Sequence, residues 1–519
     1  MQHVHARKVR SVVRMVAAGA AALAISAGAL GQSVENRIKA AIGNARLGNA
    51  KVGVSVIDTQ SGREIADVSI NGADKGLIPA SNLKLLTSGA ALLALGPKHE
   101  YRTEIVLDGP RLIVKGAGDP AFGDPELLDK MKVSVDQFVD RLVESIKKKA
   151  PDARIGEVIV DDRVFDREFV HPDWPAGQLH LSYCAQVAGM NFHGNVLNVF
   201  VSPGAAPGVE VNARPEPSGN WITVRRLAKT VKEGNTEVWL ERDKEPYSFR
   251  LHGTVRTAPG PVQVTVNDPG LFFARVLADR VRKAGLGMGG TGGKNTSESV
   301  IGRLAKSDER FEGGTLVTVV RTPIAVVLER CNVDSDNLYA ESLCKLAGHE
   351  ATGQPGSWAN GTALVRMKVR DRLGPEAAAG MTLADGCGLS RNNRVTAGTL
   401  ARWLRAMALD KACGEAFVSS LALAGEEGTL KKRFKNAKIK NEVRGKSGYI
   451  REVRTLSGYV TSPGSGRQAA FSILINGVPS GADQRAKDLH EKIVEIVDDW
   501  VAAQSRSAPA NDPGEKVGG

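Results

Sequence analysis

Two sets of strand signals at opposite ends of the chain constrain the fold most. Near the front, VGVSVID (Val52–Asp58) alternates at period two. TQSG then makes a turn and REIADVSI (Arg63–Ile70) returns, which predicts a hairpin. Near the back, NEVRGKSGYI, VRTLSGYVTS and QAAFSILING follow at hairpin spacing and predict three more strands. Helical periodicity brackets both sets. It places Val34, Ile38, Ala41 and Ile42 on one face within 33–47, and Leu489, Ile493, Val494, Ile496, Val497 and Val501 on one within 481–504. More helical patterning covers 324–346 and 396–409. These pieces assemble into an α+β fold, an antiparallel sheet flanked by helices.

From about 101 to 267 the texture changes. Short β-like runs dominate (TEIVLDG, RLIVKGAG, EVIVDD, VLNVFVSPG, PVQVTVND), broken by one charged helix at 134–149. A mainly β region therefore interrupts the first domain. The expected organisation is a discontinuous domain over 32–105 and 271–504, with an insert of one or two subdomains at 106–270. A polar, disordered tail follows at 505–519. Residues 286–299 are Gly-rich but lack the Lys-Ser/Thr ending of a phosphate loop, so they read as a connection.

The first 31 residues read as an export signal. Arg7, Lys8, Arg10 and Arg14 precede the uncharged, Ala-rich run Met15–Leu30, and small residues at Ala27–Gly31 suit cleavage near Ala29 or Gly31. The run falls short of the ~20 residues a spanning helix needs, and no later stretch qualifies. An exported protein of the periplasm or cell envelope, without a stable membrane span after cleavage, is expected. The chain carries +12, four of whose cations lie in that segment, leaving +8. That suits an anionic envelope. No basic block interleaved with aromatics points to nucleic acid. The five cysteines (184, 331, 344, 387, 413) form no CxxC pair, so they read as buried free thiols and not as a zinc site. No cofactor is expected.

Three short motifs carry the chemistry. In IPASNLKLLTSGAALLALGP (Ile78–Pro97), Ser81 and Lys84 share a face at the start of an apolar helix that Gly96-Pro97 stops. A serine hydroxyl needs an adjacent base, and a helix N-terminus in a partly desolvated pocket disfavours a charged amine. A second Ser-x-x-Lys, Ser145 to Lys148, lies in the charged helix and reads as a solvated face. The second motif is Ser335-Asp336-Asn337, where a hydroxyl can relay a proton and an amide can hold a peptide backbone. Ser-x-Asn also occurs at Ser218–Asn220 and Ser390–Asn392, and a helix N-cap would explain Ser335 as well. The third is Lys446-Ser447-Gly448 on a strand. It is the chain's only Lys-Ser/Thr-Gly, suited to a carboxylate beside a strand that a ligand can approach.

The order SxxK, SxN, KSG accompanies penicillin-binding proteins and β-lactamases. The chain resembles the low-molecular-mass class C penicillin-binding proteins, exported D-alanyl-D-alanine carboxypeptidase/endopeptidases. VKGAGDPAFGD, GEVIVDDRVFD, SDNLYAESL, DGCGLSRNNRVTAGTL and AGEEGTLKKRF add to the likeness. The resemblance implies peptidoglycan stem peptides and β-lactams as ligands. It implies Ser81 as nucleophile and Lys84 as base, with Ser335 passing a proton to the departing amine, helped by Lys446. Asn337 would bind the acyl side, Lys446 and Ser447 the terminal carboxylate, and the amides of Ser81 and Tyr449 the oxyanion. Arg391 would line the pocket for the stem-peptide side chain. The chain departs from the family in four places. Ser447 stands for Thr, Cys387 for Ser, Tyr449 for a smaller residue, and no acid lies between Ala176 and Gln186. A β-lactamase or esterase on the same fold, or a non-catalytic peptidoglycan-binding protein, are the competing readings. Neither Gly-x-Ser-x-Gly nor HExxH occurs, against an unrelated serine or zinc hydrolase.

Overall fold

The computed structural model describes residues 34–288 and 300–507. The expected signal segment, most of the Gly-rich connection and the end of the tail lie outside the described residues. The described chain falls into two compact units: 34–85, 369–382 and 393–507 form the first, and 86–288, 300–368 and 383–392 the second.

The first unit is built on a six-stranded antiparallel sheet. Its strands are β1 (Lys51–Asp58), β2 (Glu64–Ile70), β3 (Ala422–Leu423), β4 (Glu442–Ile450), β5 (Val453–Thr461) and β6 (Gln468–Asn476), in the order β3-β4-β5-β6-β1-β2. The strand sets from the two chain ends thus join at one seam, where β1 runs against β6 from Lys51–Asn476 to Asp58–Ala469. β5 and β6 are buried at nearly every position, as strands covered on both faces must be. The covering helices are α1 (34–44), α3 (Ala397–Ala408) and α4 (Asp483–Ser507). α3 packs on β1 and β6, and α4 on β5 and β6. Thr396 caps α3 by accepting the Thr399 amide (3.0 Å), and Leu400, Trp403, Leu404 and Met407 are its buried stripe. α4 reaches Ser507, further than the apolar stripe alone suggested.

α2 (Leu83–Leu95) starts in this unit. A single 3-10 turn, Ala80–Asn82, opens it, and Gly96 at φ 84° ends it. Leu83, Leu85, Leu86, Ala90, Ala91 and Leu92 are all buried, and so are Lys84, Thr87 and Ser88, which form one polar face of an otherwise apolar helix.

The second unit holds a five-stranded mixed sheet and two smaller sheets, of three and four strands. The five-stranded sheet runs Ile301–Leu304, Glu157–Asp161, Arg111–Lys115, Glu100–Asp108, Thr315–Pro323. The charged helix forms at Val135–Lys149 behind a reciprocal Ser134–Gln137 cap and buries Val135, Val139, Leu142, Val143 and Ile146. Two long helices appear where none was expected, Pro269–Lys283 and Trp358–Leu373, besides the short Pro125–Lys130, Pro375–Ala379 and Gly414–Ser419. The first long one is buried on most sides, and the second, WANGTALVRMKVRDRL, mixes charge and glycine without one apolar stripe. The patterned stretch at 324–346 is two helices, Ile324–Asn332 and Asn337–Thr352. No described helix is long and apolar enough to cross a membrane.

Candidate active site

In the first unit, the segment before α2 is fixed residue by residue to the sheet. Leu77 exchanges backbone bonds with Val395, both at 2.9 Å. The Asn476 amide grips both backbone groups of Ile78, accepting from N–H at 2.8 Å and donating to C=O at 3.0 Å. Thr455 Oγ1 donates to Pro79 C=O at 2.9 Å. Ala80 is buried in the left-handed region, at φ 46°, a conformation that costs a non-glycine residue about 1–3 kcal/mol and persists only where the surroundings impose it. The chain then turns into the helix with Ser81 part-exposed and Asn82 and Lys84 buried.

Lys84 Nζ lies 3.2 Å from Ser81 Oγ, within reach for a proton transfer between them. The other two Ser-x-x-Lys copies behave differently. In Ser342–Lys345 the buried Lys345 Nζ donates to Asp166 Oδ1 (2.6 Å) and to the Glu168 C=O (2.8 Å). Ser145 Oγ donates back to the Arg141 carbonyl at 2.9 Å, and Lys148 is exposed. Asn82 ties the serine turn to the third motif. Its Nδ2 donates to Lys446 C=O at 2.5 Å, and its Oδ1 lies 2.9 Å from Ser457 Oγ.

β4 carries that third motif. Lys446 is fully buried, and its Nζ donates to Ser447 C=O at 2.9 Å. Gly448 faces the serine turn so closely that a Cβ there would run into Thr455 Oγ1 and lie 3.0 Å from Ser81 N. Only glycine fits this approach. β3 pairs with β4 at Arg444 and Gly445 alone, so beyond Gly445 that edge of β4 has no ladder partner among the described residues. The Ala424 amide donates to Val443 C=O from the β3 side (2.9 Å), and the β4–β5 register is unbroken. Backbone groups of alternate residues face the same edge of an antiparallel strand, so those of Ser447 and Tyr449 point to the open edge. An amide there, beside Ser81 N, is suited to a developing oxyanion.

The other expected residues belong to the second unit. Ser335 has φ 66° and is not the helix cap; Asp336 caps the Asn337–Thr352 helix by accepting the Tyr339 amide at 3.3 Å. Asn337 Nδ2 donates to Tyr183 C=O at 2.8 Å, a contact no motif announced. The Ser390–Asn392 copy in this unit is structural: Ser390 Oγ and Asn392 Nδ2 both donate to Asp173 Oδ2 at 2.8 Å. Arg391 between them is exposed, and Cys387 is fully buried. All five cysteines are buried and none forms a disulfide, as expected.

Sequence reasoning did not find Asn82, Thr455, Ser457 or Asn476, whose partners lie hundreds of positions away. It also missed Glu341. Its buried carboxylate accepts the amides of Gly386 (2.9 Å) and Cys387 (2.8 Å) and the Trp358 indole N–H (2.8 Å). Asp385 beside it accepts the amides of Gly388 (2.9 Å) and Ser390 (2.7 Å) and the Trp174 indole N–H (3.1 Å). Burial, then the charge of Asp385, raises the Glu341 carboxyl to about 7. Glu341, Asp385 and Cys387 are close enough to hold a cation, but the N–H donors converging on both carboxylates make this an anchor for the 385–390 loop.

Comparison with known proteins agrees with this geometry. The D-Ala-D-Ala carboxypeptidase 3 (S13) family matches residues 34–499. A D-alanyl-D-alanine carboxypeptidase of Actinomadura sp. (strain R39) is 30% identical over 490 residues, covering 90% of this chain and 85% of that protein. In fold, the chain is similar to penicillin binding protein 4 (dacB) from Haemophilus influenzae. The TM-score is 0.68 at 22% identity, over 86% of this chain and 95% of that one. The same Haemophilus protein complexed with a β-lactam gives a TM-score of 0.61 at 21% identity, over 86% and 95% of the two chains. The match over nearly all the described residues makes this chain a member of the D-Ala-D-Ala carboxypeptidase 3 (S13) family.

Proposed function

We propose that Ser81 is the nucleophile of this serine-type D-alanyl-D-alanine carboxypeptidase, and that its substrates are peptidoglycan stem peptides ending in two D-amino acids. Ser81 Oγ attacks the carbonyl between those residues while Lys84 Nζ takes its proton. The carbonyl oxygen becomes an oxyanion held by the amides of Ser81 and Tyr449. One such donor is worth about 3–4 kcal/mol in comparable enzymes. The terminal carboxylate is held by Lys446 and Ser447. Ser335, helped by Lys446, returns a proton to the departing amine, and Asn337 holds the acyl side. Water then cleaves the acyl-enzyme. A β-lactam enters the same path and stays as the acyl group. Arg391 is proposed to meet the stem-peptide side chain.

The observation that carries this reading is the 3.2 Å approach of Lys84 Nζ to Ser81 Oγ, with the Gly448 backbone pressed against the Ser81 amide. The +8 charge and the N-terminal segment support export to the periplasm or cell envelope. The change of texture supports 106–270 as an insertion into a discontinuous domain over 32–105 and 271–504. The test is release of free D-alanine from a stem pentapeptide, against cleavage of a cross-linked dimer. The protein releases D-alanine and Ser81→Ala does not; equal release by Ser81→Ala overturns the assignment.

A further inference from the structure

Tyr449 is the most exposed large apolar or aromatic side chain among the described residues of the first unit, at 65%, on the strand that carries the third motif. A bulky ring at the open edge of β4 would lie where a ligand must approach. The ring does not stand over that edge. It lies across β5, with its centroid 3.7 Å from the guanidinium carbon of Arg454, its cross-strand partner. Arg454 is itself pinned. It is 4% exposed, Nη1 donates to the carbonyls of Ile450 (2.9 Å) and Val453 (2.7 Å), and Nη2 pairs with Asp483 at the start of α4. A planar cation that is buried, hydrogen-bonded and held by a carboxylate is a fixed seat for a ring.

We propose that Arg454 is a positioning residue that holds the Tyr449 ring back across β5 and so keeps the edge of β4 open to the substrate. This rests on the reading of Ser81 and β4 given above. Side chains at 447 and 449 share a face of the strand, so a released Tyr449 ring is free to turn over the edge beside Ser447, where the terminal carboxylate is placed. Three staggered χ1 positions are open to an unrestrained side chain. If one of them leaves the edge clear, the competent fraction falls to about a third. The apparent dissociation constant then rises about threefold while the rate within the complex is unchanged.

The test is the acylation kinetics of the purified full chain with a chromogenic β-lactam, separated into the apparent dissociation constant and the limiting rate. Arg454→Ala is expected to raise the constant about threefold with little change in the limiting rate. Tyr449→Ala sets the reference for a missing ring. The double variant Tyr449→Ala/Arg454→Ala should match it, because no ring remains to obstruct. Arg454→Met, which keeps the buried stem filled, replaces Arg454→Ala if the latter does not fold. An unchanged constant in the arginine variant overturns the proposal, as does a loss that Tyr449→Ala does not relieve. If the wild-type protein is not acylated at Ser81, the reading of the nucleophile fails before this comparison is reached.

Discussion

At the scale of single residues, the serine turn is an arrangement of mutually imposed constraints. Ala80 at φ 46° is held by Asn476 and Thr455 on the residues before it and by Asn82 on the residue after Ser81. Gly448→Ala should therefore separate β4 from the serine. Its Cβ would meet Thr455 Oγ1 and the Ser81 amide, and an ångström of displacement at such a site costs about 100-fold. Acylation by a labelled penicillin should fall by that order while the circular dichroism spectrum stays native. Asn82→Ala removes the side-chain donor to the buried Lys446 carbonyl and one of the two hydroxyl contacts of Ser457, which keeps Ser472 Oγ. It is expected to lower unfolding free energy by about 1–3 kcal/mol in urea, with acylation slowed as well. The motif residues themselves were legible in the sequence because their chemistry is local: Ser81 and Lys84 are one helical turn apart. Asn476 was not, because nothing near it in sequence indicates that its amide closes on Ile78, 398 positions away.

At the scale of elements, alternation made β1 readable, hairpin spacing did so for β2, β4, β5 and β6, and one apolar stripe for α1 and α4. Where burial came from several sides, periodicity was lost, as in Pro269–Lys283, and where charge and glycine interrupted the stripe, as in Trp358–Leu373, it never formed. The break at 333–336 was legible, because Ser335-Asp336-Asn337 interrupts two apolar helical stretches. α4 also carries a pH dependence. His490 is fully buried, and burial, with Arg433 next, holds its imidazole well below the ordinary value of 6.5. The folded state keeps it neutral, while the unfolded chain takes up a proton below 6.5. The stability contributed is therefore present above 6.5 and is lost as pH falls, by about 1.4 kcal/mol per pH unit until the folded value is reached. Urea unfolding at pH 7 and pH 5.5 should show this slope, and His490→Met should flatten it.

At the scale of the whole molecule, the sequence conveyed the α+β fold and the joining of its two ends but not how the units interleave. α2 runs through residue 85 and Trp358–Leu373 through residue 368, so no change of composition marks either boundary. The thiols offer a global check. All five are buried and outside any disulfide, and burial raises those of Cys184 (to about 12), Cys344 and Cys413. An aromatic disulfide reagent should titrate almost none in the native protein and five after denaturation. Reductant should leave the melting temperature unchanged, whereas a native disulfide would make it fall.

The central claim is that the hydroxyl at 81 is the one that becomes acylated. It is tested most directly by incubating the protein with penicillin, digesting it and locating the added mass by mass spectrometry. One penicilloyl group on the peptide containing Ser81, absent from Ser81→Ala and formed about 100-fold more slowly in Gly448→Ala, is the predicted result. An adduct at Ser145 or Ser335, or an unmodified protein under conditions where the fold is intact, would contradict it.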